Sequence, residues 1–266
     1  MLLSNDANAR TCGSMAAQAE VIDNRDAVVP RSKSKQRERL FFTGMIVAII
    51  ITVFAGFSRT YFLRPYFQTQ PLIPLLHLHG IIFTSWVALF LVQTTLVATN
   101  RTRIHRRLGI LGAIIATLML IVGSVTAIIR AKVIDVPPGA PPPLVFLTIP
   151  LGDMLVFGIL VGLAFYYRRR PDVHKRLMLL STIAILPAAV ARLPFDFILH
   201  GGPLAFFGLS DLFIVPCLIY DWISRGRPHR ATVLGGALIV LSHPLRLIIG
   251  GTRGWLAFAE WITQWS

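Results

Sequence analysis

The sequence predicts an all-α fold, a polytopic transmembrane helix bundle of about seven spans whose N-terminus is cytoplasmic. Three observations carry this expectation. Hydrophobic residues make up 55% of the chain and charged ones 14%, with a mean hydropathy of +0.67, far from a soluble domain of this length. The apolar residues fall in blocks long enough to cross a hydrocarbon core of about 30 Å, which takes roughly 20 helical residues. The cations gather between alternate blocks. Uninterrupted apolar runs satisfy their backbone internally as helices, whereas barrel strands would alternate with period two.

Taken in order, residues 1–39 are polar and lack an apolar core, which predicts a disordered cytoplasmic tail. They also lack the apolar region of a cleavable signal peptide, so the first span is expected to act as its own insertion signal. The spans are read at about 41–58, 73–98, 108–130, 144–167, 177–199, 203–223 and 232–250, which places one transmembrane bundle over 40–252. Tyr61, Phe62, Tyr66 and Phe67 suit a membrane interface, and the run from Pro137 to Pro143 predicts a stiff extended loop. Residues 253–266, with Trp255, Trp261 and Trp265, read as an interfacial aromatic segment. Cys12 lies in the tail and Cys217 in the sixth span, too far apart for a disulfide.

The net charge of +14 invites a nucleic-acid partner, and the placement of the cations excludes it. Seventeen of the 26 Lys and Arg lie in 31–39, 101–107, 168–176 and 225–230, segments that alternate with cation-poor loops. That is the positive-inside pattern. It predicts a multi-pass protein of a bacterial cytoplasmic (inner) membrane, with the lipid bilayer as its partner, and leaves a second copy or a redox partner open.

Depth along each span, at about 1.5 Å per residue, sorts the ionisable residues. His77, His79, Asp153, Arg192, Asp196, His200, Asp211, His243 and Arg246 all fall in the half of the bilayer away from the cation-rich loops. A charge facing lipid costs about 3 kcal/mol or more, so the expectation is one interior cluster. Arg192, Asp196 and His200 are spaced by four and would share a stripe of the fifth helix. His77 and His79 are about 200° apart around a helix, so one of them at most faces the centre. His243 precedes Pro244, a point where the seventh helix can kink. The cluster reads either as interhelical pairs that hold the bundle or as a functional centre.

A second set of histidines repeats with its surroundings. His105-Arg106-Arg107-Leu108 and His174-Lys175-Arg176-Leu177 are 69 residues apart, one helical hairpin, which makes a weak internal helix-pair repeat. His229 is a weaker copy, read as a polar loop residue. His105 and His174 stand in arginine-dense loops at the entry of the third and fifth spans. They read as headgroup-level polar residues or as haem ligands, with Arg106, Arg107, Lys175 and Arg176 meeting propionates or phosphates.

The passage Leu160 to Leu193 resembles the second half of an uncharacterised family of bacterial predicted membrane proteins with an H-x-x-[WL]-M motif, His174 and Met178 here, and an arginine further along, Arg192. His77 to Gly109, with Trp86, Gln93 and the H-R-x-x-G ending, is similar to the family's first half. Leu177 replaces the family's usual tryptophan, and its second arginine after the methionine is absent. The resemblance covers about 75–200, and it implies helical pairs similar to those of b-type cytochromes and haem-handling membrane proteins, by analogy between bundles.

Two functional classes follow. One is a haem-binding or redox protein, since a b-type haem needs two histidines from different helices at matched depth. His77, His79, His200 and His243 are favoured as the buried site, and His105 with His174 is the second candidate. The other is a transporter of an ion, proton or small polar solute through Asp153, Arg192, Asp196, Asp211 and Arg246. No hydrolase, nucleotide or EF-hand motif is present.

Overall fold

The computed structural model describes residues 31–67, 71–133 and 141–264, and every regular element among them is helical. The helices are α1 (Arg31–Phe57), α2 (Pro74–Ala98), α3 (Thr102–Val133), α4 (Pro143–Phe146), α5 (Thr148–Tyr166), α6 (Pro171–Ala184), α7 (Pro187–Val190), α8 (Asp196–Asp211), α9 (Ile214–Arg225), α10 (Arg230–Gly250) and α11 (Arg253–Gln264). Seven stretches are long and apolar enough to cross a membrane: Lys35–Phe62, Pro74–Ala98, Thr102–Lys132, Pro143–Tyr166, Pro171–Val190, His200–Arg225 and Arg230–Gly250. The chain is thus an all-α polytopic bundle. It divides into two units, Met1–Leu40 and Phe41–Ser266.

Proline sets several of the helix starts. Pro74, Pro143, Pro171 and Pro187 each begin a helix, where the missing N–H is no loss and the fixed φ is already helical. Two expectations are corrected by this. Helix α6 starts at Pro171 and α3 at Thr102, so His105 and His174 lie on first turns of helices rather than in loops. Pro143 opens a turn of helix and is not extended; Pro137 to Ala140 lie outside the described residues, as do Cys12 and Trp265.

The fifth span departs most from expectation. It was expected to be one helix over 177–199, and α6 instead ends at Ala184. Pro187 cannot donate to Ile183 O, which accepts from Leu186 N at 3.0 Å instead. A single turn, α7, follows, and Leu193-Pro194 then excludes helix, because proline disfavours α geometry in the residue before it. Asp196 therefore opens a new helix, α8, which is itself broken at Gly202 (φ 60°, ψ −153°) ahead of Pro203. In the first unit, residues 31–39 are helical, the beginning of α1 rather than disordered tail, and 1–30 lie outside the described residues.

Helix α5 is the axis of the bundle and packs against α3, α6 and α10. Its Phe157, Leu160 and Ala164 are buried, and so are Leu179, Leu180 and Ile183 of α6. Trp86 of α2 packs edge-on against Phe157, 5.3 Å between ring centroids, and donates its indole N–H to Thr182 Oγ1 at 3.2 Å. Large apolar side chains such as Ile51, Ile110, Leu155, Leu234 and Leu241 stay exposed around the outside. In lipid that exposure costs nothing, and helix association rests on close packing and polar contacts. Helix α11 is amphipathic and is tied to the bundle by Trp255 Nε1, which donates to Leu144 O at 2.8 Å, while Phe258 and Trp261 remain exposed.

One backbone approach is tight enough to test. A Cβ built on Gly56 of α1 would collide with the backbone carbonyl of Ala189 in α7. Backbone cannot swing aside as a flexible side chain can, so Gly56→Ala should destabilise the protein by about 1–3 kcal/mol, read by denaturant titration in detergent micelles. Gly44→Ala, where an added Cβ meets open space, is the control and should be neutral or stabilising.

Candidate functional site

The two repeated histidines meet. His105 on the first turn of α3 and His174 on the first turn of α6 approach with ring centroids 6.3 Å apart and planes inclined at 75°. Helix α5 packs against both helices, and its last turn supplies the anchor: His174 Nδ1 donates to Ala164 O at 2.8 Å. That carbonyl belongs to the last four of α5, which have no intrahelical partner. The bond therefore caps α5, fixes the proton on Nδ1 and leaves Nε2 of His174 with a free lone pair.

Gln93 of α2 stands behind His105. Oriented one way, its amide nitrogen donates to His105 O at 3.2 Å and His105 Nδ1 at 2.8 Å, while its oxygen accepts from Gly109 N at 3.2 Å. Turned over, the amide would set its oxygen against the His105 carbonyl and its nitrogen against the Gly109 N–H, so the first orientation is the satisfied one. With Nδ1 accepting from Gln93, the neutral His105 ring carries its proton on Nε2. Arg106 and Arg107 lie exposed beside the pair, and Lys175 is half-buried with its ammonium over the Phe42 ring.

Arg176 is not part of that rim. It turns inward and pairs with Asp221 of α9, both almost fully buried, with Nε donating to Asp221 Oδ1 at 2.9 Å and Nη1 to Asp172 O at 2.9 Å. The other carboxylate oxygen accepts from Thr232 Oγ1 at 2.5 Å and from His229 N at 3.1 Å. His229 in turn caps α10, its Nδ1 accepting from Ala231 N at 3.0 Å. Burial first, and then the charges of Arg176 and Arg225, hold its pKa below the usual histidine range, so the accepting nitrogen stays unprotonated near neutral pH. Sequence reasoning singled out neither Asp221 nor its pairing with Arg176. The signal was available, because an aspartate at the end of an apolar run, level with the basic loops, needs a buried cation.

The nine residues expected to form one interior cluster separate. Asp153, Asp211, His243 and Arg246 do converge: Arg246 Nη1 pairs with Asp153 Oδ1, its Nη2 donates to Ser242 Oγ at 2.9 Å, and His243 Nδ1 meets Asp211 Oδ2 at 3.2 Å. The His243 ring stacks on Phe207 at 4.0 Å, and α10 runs through Pro244 as one helix. The other five lie elsewhere. Arg192 is exposed, donates to Ala188 O and sits 4.8 Å over the Phe57 ring, with no ion pair to Asp153, Asp196 or Asp211 among the described residues. Asp196 and His200 are exposed on the first turn of α8, where His200 Nδ1 bonds Asp196 O at 2.9 Å. His77 is exposed, and His79 stacks on Phe83 at 4.1 Å. The break after Ala184 is the physical reason, since it destroys the four-residue spacing that was to align Arg192, Asp196 and His200. Among the described residues none of the four outer histidines contacts another, whereas His105 and His174 do.

No family model matches the chain, and comparison with curated proteins and with solved structures likewise yields no match.

Proposed function

We propose that the protein binds a b-type haem between His105 and His174 and serves in electron transfer or haem handling in a bacterial inner membrane, with the cation-rich end of the bundle in the cytoplasm. The spacing of the two rings carries this reading. Two imidazoles on opposite sides of one iron need nitrogens about 4 Å apart and so ring centroids roughly 6 Å apart; these are 6.3 Å apart. One of the two donors is ready as the structure stands. His174 has its Nδ1 proton committed to Ala164 O, which leaves Nε2 free and raises its basicity. His105 takes the same role once the Gln93 amide turns over, giving up its bonds to His105 O and Gly109 N. Arg106 and Arg107 supply cations for the propionates. When bound, the haem would supply a one-electron couple. Both histidines are those of the H-R-x-x-G and H-x-x-[WL]-M motifs, which supports a shared role.

Passage of an ion, proton or small polar solute is the second reading, favoured by the breaks in the fifth and sixth spans together with the His243–Asp211 pair between the sixth and seventh. An absorption spectrum separates the two. Protein purified from haem-supplied cells should show a Soret band that His105→Ala and His174→Ala each abolish and His243→Ala leaves in place. A wild-type preparation without the band would reject the haem reading in favour of transport.

A further inference from the structure

At the end of the bundle away from the basic loops, α2 and α3 are antiparallel neighbours. Phe83 fixes their register, because a Cβ built on Gly123 would lie 3.2 Å from Phe83 Cζ. One turn back along α2 from Phe83 is His79, whose ring stacks on Phe83. One turn forward along α3 from Gly123 is Thr126, with Arg130 a turn beyond. His79 and Thr126 therefore fall at about the same level of the α2–α3 seam, with Arg130 one turn beyond them. His79 Nδ1 and Thr126 Oγ1 are both buried there without a hydrogen-bond partner, and Thr126 is only 6% exposed. A hydroxyl in a helix commonly donates to the carbonyl one turn back, and the neighbouring Thr117 does so. Thr126 does not.

Arg192, just past the end of α7, sits 4.8 Å over the Phe57 ring at the end of α1, one turn from Tyr61, which packs on Gly80 beside His79, so its charge acts on both His79 and Arg130. Neither arginine is in ion-pair contact with a carboxylate among the described residues. Arg192 spends one donor on Ala188 O and lies over the Phe57 ring, with no further hydrogen bond among the described residues. Two neighbouring guanidiniums with no acid beside them among the described residues repel one another, and a buried hydroxyl and imidazole without partners each carry an uncompensated desolvation cost. A single group with several acceptor oxygens and a negative charge relieves both.

We propose that His79, Thr126, Arg130 and Arg192 form a binding site for a small oxyanion, a phosphate or carboxylate, separate from the His105–His174 site. The arginines neutralise the charge, and Thr126 Oγ–H and His79 Nδ1–H donate to its oxygens. The same chemistry is offered by a free anion and by a phospholipid headgroup, and the test separates these sources. Wild-type protein in nonionic detergent is titrated calorimetrically with inorganic phosphate at constant ionic strength, and its co-purifying anionic phospholipid is counted by mass spectrometry. Saturable phosphate binding that Arg130→Gln and Arg192→Gln each weaken by about tenfold or more, with His105→Ala without effect, establishes a free-anion site. Retained phospholipid lost in the same two variants establishes a headgroup site. Absence of both ligands from the wild type, or binding unchanged in both arginine variants, overturns the proposal. Should a glutamine variant fail to fold, Arg192→Lys and Arg130→Lys, which keep the charge and lose the planar fork, are read by the same two measurements and should weaken binding.

Discussion

Asp221→Ala should destabilise the protein by about 3–5 kcal/mol, the range for removing one partner of a buried ion pair. Asp221 is 1% exposed and Arg176 5%, so the arginine left behind cannot reach water and keeps only its bond to the Asp172 carbonyl, the Asp172 carboxylate being solvent-exposed and paired with Lys175. Two further groups lose their acceptor at the same time, the Thr232 hydroxyl and the His229 amide, and with the latter the start of α10 is loosened. Arg176→Met combined with Asp221→Ala should recover a large part of the loss, because it removes the stranded charge and keeps apolar volume. Reversible unfolding in micelles, followed by tryptophan fluorescence, gives the comparison. A single variant within about 1 kcal/mol of wild type would show the pair to be solvated and worth no more than a surface salt bridge.

Arg246→Leu should have an effect of similar size at the opposite end of the bundle. The guanidinium is buried against Asp153 and Ser242 and lies on Gly152, whose missing side chain makes room for it. Truncation strands the Asp153 carboxylate inside the bundle, a cost of about 3–5 kcal/mol, and Arg246→Leu with Asp153→Leu should be closer to wild type than Arg246→Leu alone. Arg192→Leu is the contrast. The sequence pattern assigns that arginine the buried carboxylate, yet it is exposed and engages only a carbonyl and the Phe57 face, so its loss should cost less than about 1.5 kcal/mol. Equal losses for Arg192→Leu and Arg246→Leu would contradict the pairing seen here.

Span count and span identity were legible in the sequence because apolar length is a one-dimensional property: Pro74–Ala98 and Arg230–Gly250 lie within two residues of the read boundaries. The expected fifth span differs from the observed one because 177–199 is predominantly apolar, and only Pro187 and Pro194 mark where the backbone stops being helical. The partners of buried charges were half legible. Matched depth named Asp153, Asp211, His243 and Arg246 as companions, while azimuth around each helix, which depends on how α5 and α10 pack, decided who pairs with whom. His105 and His174 were legible through their repeated context, and their encounter across the end of α5 was not, since it depends on both helices starting nearly two turns earlier than their apolar runs. Gln93, Thr126 and Asp221 carry roles that appear only once a neighbouring helix is in place.

The partner of Asp153 is 93 residues further along the chain. At a synthesis rate of roughly 5–20 residues per second, the carboxylate enters the membrane several seconds to some twenty seconds before Arg246 exists. During that interval α5 must be held where its acid is tolerated, in the translocation machinery or protonated among the preceding helices. The last span, which brings the arginine, then enters against a waiting countercharge. A ribosome stalled between the two would leave behind a bundle of earlier helices holding an acid without its cation.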